Sequence, residues 1–192
     1  MLPERIQHDP VLADLYRYWD SRRAGPVPPS RQDVDPLDMP RHVLPHLLLV
    51  ELVGPVPRIH YRLVGTAIAS RYGEDFTGRW LDELAGVNYR DLLERLYRLM
   101  RETQRPVYVE SLFRLDPETT AETRRLYLPL TSDGEASLAL AGQTFPTYPY
   151  DSRDFFPMIR GGPGDAGTGL VRHREWLIDP ESGQMDLCTP AD

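Results

Sequence analysis

Tyr61-Arg62-Leu63-Val64-Gly65-Thr66-Ala67-Ile68-Ala69-Ser70-Arg71-Tyr72-Gly73, followed by Phe76-Thr77-Gly78-Arg79-Trp80-Leu81, is the stretch whose reading decides the fold. Arg58 to Val64 alternates, with Ile59, Tyr61 and Leu63 on one side and Arg58, His60 and Arg62 on the other. That is the period of a half-buried strand in an antiparallel sheet. The strand pattern stops at Gly65 and runs into short helical turns over 66–84, punctuated by Gly73 and Gly78.

Working outward, Leu47 to Val53 is an apolar run of strand length, closed by the turn Gly54-Pro55-Val56-Pro57. Downstream, 88–104 is the longest helix, with Tyr89, Leu92, Leu93, Leu96, Leu99 and Met100 on its apolar face. Segments 107–115, 123–130 and 136–144 then read as strands, the middle one with Leu126, Leu128 and Leu130 on one face. Thr131-Ser132-Asp133-Gly134 carries a hairpin signal between the last two.

At the N-terminal end, His8 or Asp9 caps a helix that has Pro10 at its first position. Leu12, Leu15, Tyr16 and Trp19 share one face of it. That apolar stripe must dock on the domain or on a partner, and it is the reason to expect a homodimer built on this helix. Asp35 before Pro36 is a second cap. Arg31, Asp33 and Asp35 read as caps and a local ion pair rather than a charged site. Beyond Tyr148 the pattern weakens. Residues 161–169 have the composition of a flexible linker, and the tail beyond either forms a small hairpin around Pro180-Glu181-Ser182-Gly183 or is disordered.

Composition bounds the function. No apolar run approaches the roughly 20 residues of a membrane helix, and Met1-Leu2-Pro3-Glu4-Arg5 lacks a signal-peptide pattern. The single cysteine, Cys188, leaves no intrachain disulfide framework and no cysteine-based zinc site. A cytoplasmic setting is expected. The net charge of −7 disfavours nucleic-acid binding. All 22 basic residues are arginine, so no lysine Schiff base or phosphate-loop lysine is possible. His42 and His46 are four apart, but Pro45 interrupts a shared helical face and no third metal ligand is evident. No Gly-x-Ser-x-Gly elbow supports a hydrolase, and the glycine-rich stretch near 161 follows no clear strand, which argues against a phosphate loop.

The order is helix, short helix, two strands, small helices, long helix, three strands, and it resembles a PAS domain. More narrowly, it is similar to a bacterial PAS-like family that often stands nearly alone. The residues carrying the likeness are Tyr18-Trp19, Pro29-Ser30-Arg31-Gln32-Asp33-Val34-Asp35-Pro36, Leu44-Pro45, Tyr61-Arg62-Leu63-Val64-Gly65-Thr66, Gly73-Glu74-Asp75-Phe76-Thr77-Gly78 and Leu128-Pro129-Leu130. The resemblance implies an α+β fold: a five-stranded antiparallel sheet with small helices and one long helix on one face. The amphipathic N-terminal helix is added to it. It divides the chain into an N-terminal extension (1–43), the PAS-like domain (44–147) and a C-terminal extension (148–192).

The resemblance further implies that any ligand sits between sheet and helices. Tyr61, Phe76, Trp80, Tyr97 and Phe113 are the aromatics expected there, and they either line a pocket or fill the core. Leu63, Thr66, Leu93, Val109 and Leu128 complete the candidate lining. Such a pocket suits a small apolar or aromatic metabolite. A flavin photosensor of this fold uses a cysteine just after the small helices, and none stands there. Haem sensors of this fold commonly use a histidine on the long helix, and 88–104 has none. No cofactor is therefore expected. The leading expectation is a non-enzymatic sensor that passes its output to a separate signalling protein. The alternatives are an interaction module with a filled core and, last, an enzyme of unknown reaction.

Overall fold

The computed structural model describes residues 1–115, 117–132, 135–146 and 169–188. Its elements are helix α1 (Pro10–Ser21), strands β1 (Leu47–Val53) and β2 (Arg58–Val64), and helices α2 (Thr66–Tyr72), α3 (Leu81–Leu84) and α4 (Val87–Thr103). Strands β3 (Val107–Arg114), β4 (Thr120–Ser132), β5 (Glu135–Thr144), β6 (Gly169–Ile178) and β7 (Met185–Leu187) follow. All seven strands form one sheet in the order β2-β1-β5-β4-β3-β6-β7, every pair antiparallel. The fold is α+β with an antiparallel sheet, as the sequence led us to expect.

The sheet has seven strands rather than five because the tail continues it. β6 pairs along β3, with Val109 opposite Glu175, and β7 pairs with β6. The turn between them is closed by Asp179 N–H donating to the Gln184 carbonyl at 2.9 Å, with Gly183 at φ +75°. The hairpin alternative for the tail is the one found; the linker assigned to 161–169 lies outside the described residues except for Gly169. So do Asp133 and Gly134 of the hairpin signal.

Helices cover both faces of the sheet. Alternation along the strands sends successive side chains to opposite layers. Tyr127, Ala139 and Ala141 pack towards α2, α3 and α4, together with Val107, Val109 and Phe113. Leu126, Leu128, Leu130, Leu138 and Leu140 pack towards α1, together with Tyr108 and Trp176. The central strand β4 is consequently buried on both sides.

Two close approaches fix this arrangement. Gly65, where β2 turns into α2, has no room for a side chain: a Cβ there would lie 2.3 Å from the Pro45 carbonyl oxygen. On the other face, a Cβ at Gly142 of β5 would meet the Leu15 and Leu12 side chains at 2.6 and 2.9 Å. α1 therefore lies almost on the backbone of β5.

α1 is capped by Asp9, which accepts from Leu12 N–H at 3.2 Å, and Pro10 follows at its first position. The second Asp9 carboxylate oxygen accepts from the Thr144 hydroxyl at 2.6 Å, so the cap also ties the helix to β5. Trp19 Nε1 donates to the Pro129 carbonyl at 2.8 Å. Leu12, Leu15, Tyr16 and Trp19 are at most 1% exposed. Burial of each is worth about 1.5–3 kcal/mol. This corrects the dimer interface read from the sequence: the apolar stripe is spent on the chain's own sheet and is not a surface open to a second copy.

Candidate functional site

Between the sheet and α2, α3 and α4 lies a cavity of about 30 Å³. β1 and β2 supply Leu48 and Tyr61; α2 and the segment after it supply Tyr72 and Phe76; α3 and its C-terminal cap supply Leu81, Leu84 and Ala85. α4 adds Tyr89, Leu93 and Tyr97, and the central strands add Arg125, Tyr127 and Gln143. Only Ala85 and Tyr89 of this lining are partly exposed, which places the mouth where α3 hands over to α4.

Of the residues singled out in the sequence, Tyr61, Phe76, Leu93 and Tyr97 stand in this lining. Val109 and Phe113 are buried in the same core but do not reach the cavity wall. Four others are elsewhere. Leu63 is 39% exposed, because a bulge pairs Leu49 with Leu63 but Val50 with Tyr61, and the extra residue turns Leu63 outward. Thr66 is exposed in the first turn of α2. Trp80 packs outside the sheet edge, its ring 4.6 Å from the His60 ring and under the Arg58 guanidinium at 4.1 Å. Leu128 lies on the opposite face, under α1. His60 sits by Trp80, 3.5 Å from Glu51 and 3.2 Å from the Gly78 carbonyl, and lines no part of the cavity.

Sequence reasoning missed the polar part of the wall, Tyr72, Tyr89, Gln143 and above all Arg125. A charged residue alternating with Leu126, Leu128 and Leu130 has the pattern of a solvent-facing position. Here α1 covers the leucine face, so the alternate face, with Arg125 and Tyr127, points into the domain. Arg125 is 3% exposed. Its Nη2 donates to the Tyr89 hydroxyl at 2.6 Å. Its guanidinium carbon is 5.6 Å from the Tyr89 ring centre and 5.8 Å from that of Phe113. Its Nη1 is buried and has no hydrogen-bond partner among the described residues.

The rest of the array is polar but uncharged. The Tyr72 hydroxyl lies 3.2 Å from the Gln143 amide nitrogen and 3.4 Å from its oxygen. Burial pushes the Tyr61, Tyr89 and Tyr97 hydroxyls well above their usual range. Burial also carries Tyr127 up, to about 12, against the opposing pull of Arg125. These phenols therefore stay protonated and keep their donors.

The Glu175 carboxylate is not available to Arg125. Through the register Arg125–Val109–Glu175 it lies two strands away on the same face, about 10 Å. It is held by the two Arg95 guanidinium nitrogens, one at 2.8 Å, and by His173 at 3.1 Å.

A family model described as a PAS domain matches residues 7–144. The chain belongs to the PAS domain family. The match runs from the turn before α1 to the end of β5, so it takes in α1 and every element around the cavity, while β6 and β7 lie beyond it. PAS domains are in general sensory and signalling modules. No curated protein matches the chain. No helix of the described residues is long and apolar enough to cross a membrane.

Proposed function

We propose that this PAS domain is a cytoplasmic, non-enzymatic sensor in which a small molecule entering at Ala85 and Tyr89 occupies the cavity between sheet and helices. It carries neither flavin nor haem, and its output passes to a separate signalling protein. The observation that carries this reading is the buried polar array of Arg125, Tyr72, Tyr89 and Gln143 in the cavity wall. A domain that needed only to be folded would gain more from apolar side chains there.

β5 supplies the route from occupancy to output. Gln143 reaches the cavity, while its neighbours Gly142 and Thr144 touch α1 on the other face. A ligand that moves Gln143 strains the contacts of α1 with Leu12, Leu15 and Asp9. α1 is the element whose position the partner reads, and its exposed polar side, including Arg17, is the surface available for that.

A second reading is an interaction module with a filled core. The small cavity volume favours it. Native mass spectrometry of the freshly purified chain separates the two. A reproducible extra mass that is lost on denaturation supports the sensor, and a bare chain mass under several conditions supports the module.

A further inference from the structure

We propose that the cavity recognises a short-chain monocarboxylate, with Arg125 as the group that binds its charge. This rests on the sensory reading above and adds to it the chemical class of the ligand, which is anionic rather than the neutral apolar or aromatic molecule that the aromatic residues alone suggest.

Arg125 is always protonated. A buried cation with no counter-charge is among the costliest features a domain can keep. Here its hydrogen bond goes to a neutral phenol, its ring contacts are with Tyr89 and Phe113, and Nη1 has no partner among the described residues. The carboxylate on the same sheet row, Glu175, is bound to Arg95 and His173. Among the described residues nothing in the wall supplies a negative charge, so a bound anion is the natural complement.

Donor count points the same way. Because the Tyr89 oxygen accepts from Nη2, its own proton is directed away from Arg125. Arg125 and Gln143 stand in the wall of the same cavity, Nη1 has no hydrogen-bond partner among the described residues, and the Gln143 amide nitrogen gives one proton to Tyr72 and keeps a second. A carboxylate accepts from several such donors at once, and these charge-assisted bonds are the strong ones. A neutral amide of the same shape would leave the guanidinium uncompensated, and a cation would be repelled.

Size and shape limit the ligand. About 30 Å³ is room for roughly two waters, the bulk of a carboxylate head. A single cation matches a single negative charge, so di- and tricarboxylates are disfavoured. The carboxylate head fills this space, so an alkyl part beyond a methyl is accommodated only as Leu48, Phe76, Leu81, Leu84 and Leu93 give way, which limits the chain to a few carbons.

The test titrates the full chain with acetate, propionate and butyrate, and with acetamide, propionamide and butyramide. Chloride, phosphate and the neutral aromatic indole run in parallel at matched ionic strength. Calorimetry gives affinities, and nitrogen-edited NMR locates the site. The expected result is that one of the acids binds at least about tenfold more tightly than its amide and shifts the Arg125 and Gln143 side-chain signals. Arg125→Met should abolish that preference. If Arg125→Met does not fold, Tyr89→Phe, at the mouth, should weaken the acid several-fold more than it weakens the amide, and an equal loss for both overturns the assignment.

Amide or indole binding equal to that of the acids overturns the carboxylate assignment while the sensor reading stands. Chloride or phosphate binding as tightly as the acids, with the same shifts, also overturns it, since the site then takes any small anion. No perturbation of the cavity by any of the acids overturns the carboxylate assignment, and the sensor reading falls with it only if native mass spectrometry also gives a bare chain mass.

Discussion

Arg125 of β4 and Tyr89 of α4 are joined by a 2.6 Å hydrogen bond that crosses the cavity from sheet to helix. It is the direct polar link between the central strand and the mouth of the cavity. It leaves the second guanidinium nitrogen, Nη1, without a partner among the described residues.

An unpaired buried cation is a liability to the unliganded fold. Arg125→Met fills similar volume without the charge, so it should leave stability unchanged or raise it by about 1–3 kcal/mol. Urea unfolding of the ligand-free chain measures this. A loss of more than about 2 kcal/mol would mean that the charge is already compensated in the free protein.

Gly142 permits the contact between α1 and β5. In Gly142→Val the new side chain would enter space held by Leu15 and Leu12. Both are flexible ends, so the helix shifts rather than the strand, at a cost of about 1–3 kcal/mol. Limited proteolysis should cut within residues 1–25 of the variant well before it cuts the wild-type chain. Equal rates would show that α1 is not held where the contacts place it.

The buried stripe of α1 also makes a prediction about association. Trp19→Ala should cost about 3–5 kcal/mol, from lost packing and the lost bond to the Pro129 carbonyl. Removing residues 1–25 should bare the leucine face of β4 and β5 and make the chain self-associate, measured by sedimentation velocity. A truncated chain with the same mass distribution as the intact one would contradict this placement of α1.

Acid should weaken the β6 connection. Burial raises the Glu175 carboxyl, but hydrogen bonds from His173 and Arg95 outweigh it and hold the group at about 2, below the usual 4.5. A depressed carboxylate contributes stability that is fully present above its unfolded value and is lost as protons bind. Stability should therefore fall between about pH 5 and pH 2. Glu175→Gln should flatten that part of the profile and cost about 1–3 kcal/mol at neutral pH, because it removes the buried carboxylate that His173 and half-exposed Arg95 hold. Urea midpoints across the pH series test both, and an unchanged slope in the variant would refute the assignment.

Local signals made much of this fold readable. The strand entering Gly65, the Asp9-Pro10 cap and the leucine spacing of α4 each name their element without tertiary information. What was hidden depended on partners. The polar half of β6 carries no strong alternation, and only pairing with β3 makes it a strand. Leu63 needed the bulge opposite Val50, which no spacing reveals. Leu128 was expected in the cavity wall, and Arg125 was not singled out at all, for one shared reason. Alternation shows that a strand has two faces, but it does not show that a helix from the N-terminal end will cover the greasier one. Once α1 is known to lie over Gly142, the inward direction of Arg125 follows from parity alone.

Occupancy of the cavity, on the proposed reading, is felt across the sheet at α1. The direct measurement is a methyl NMR titration of the intact chain with a short monocarboxylate, following Leu93 in the cavity wall and Leu12 and Leu15 under α1. All three should move along one saturating curve, and Arg125→Met should abolish the movement. Shifts confined to Leu93, with Leu12 and Leu15 unmoved at saturation, would contradict it.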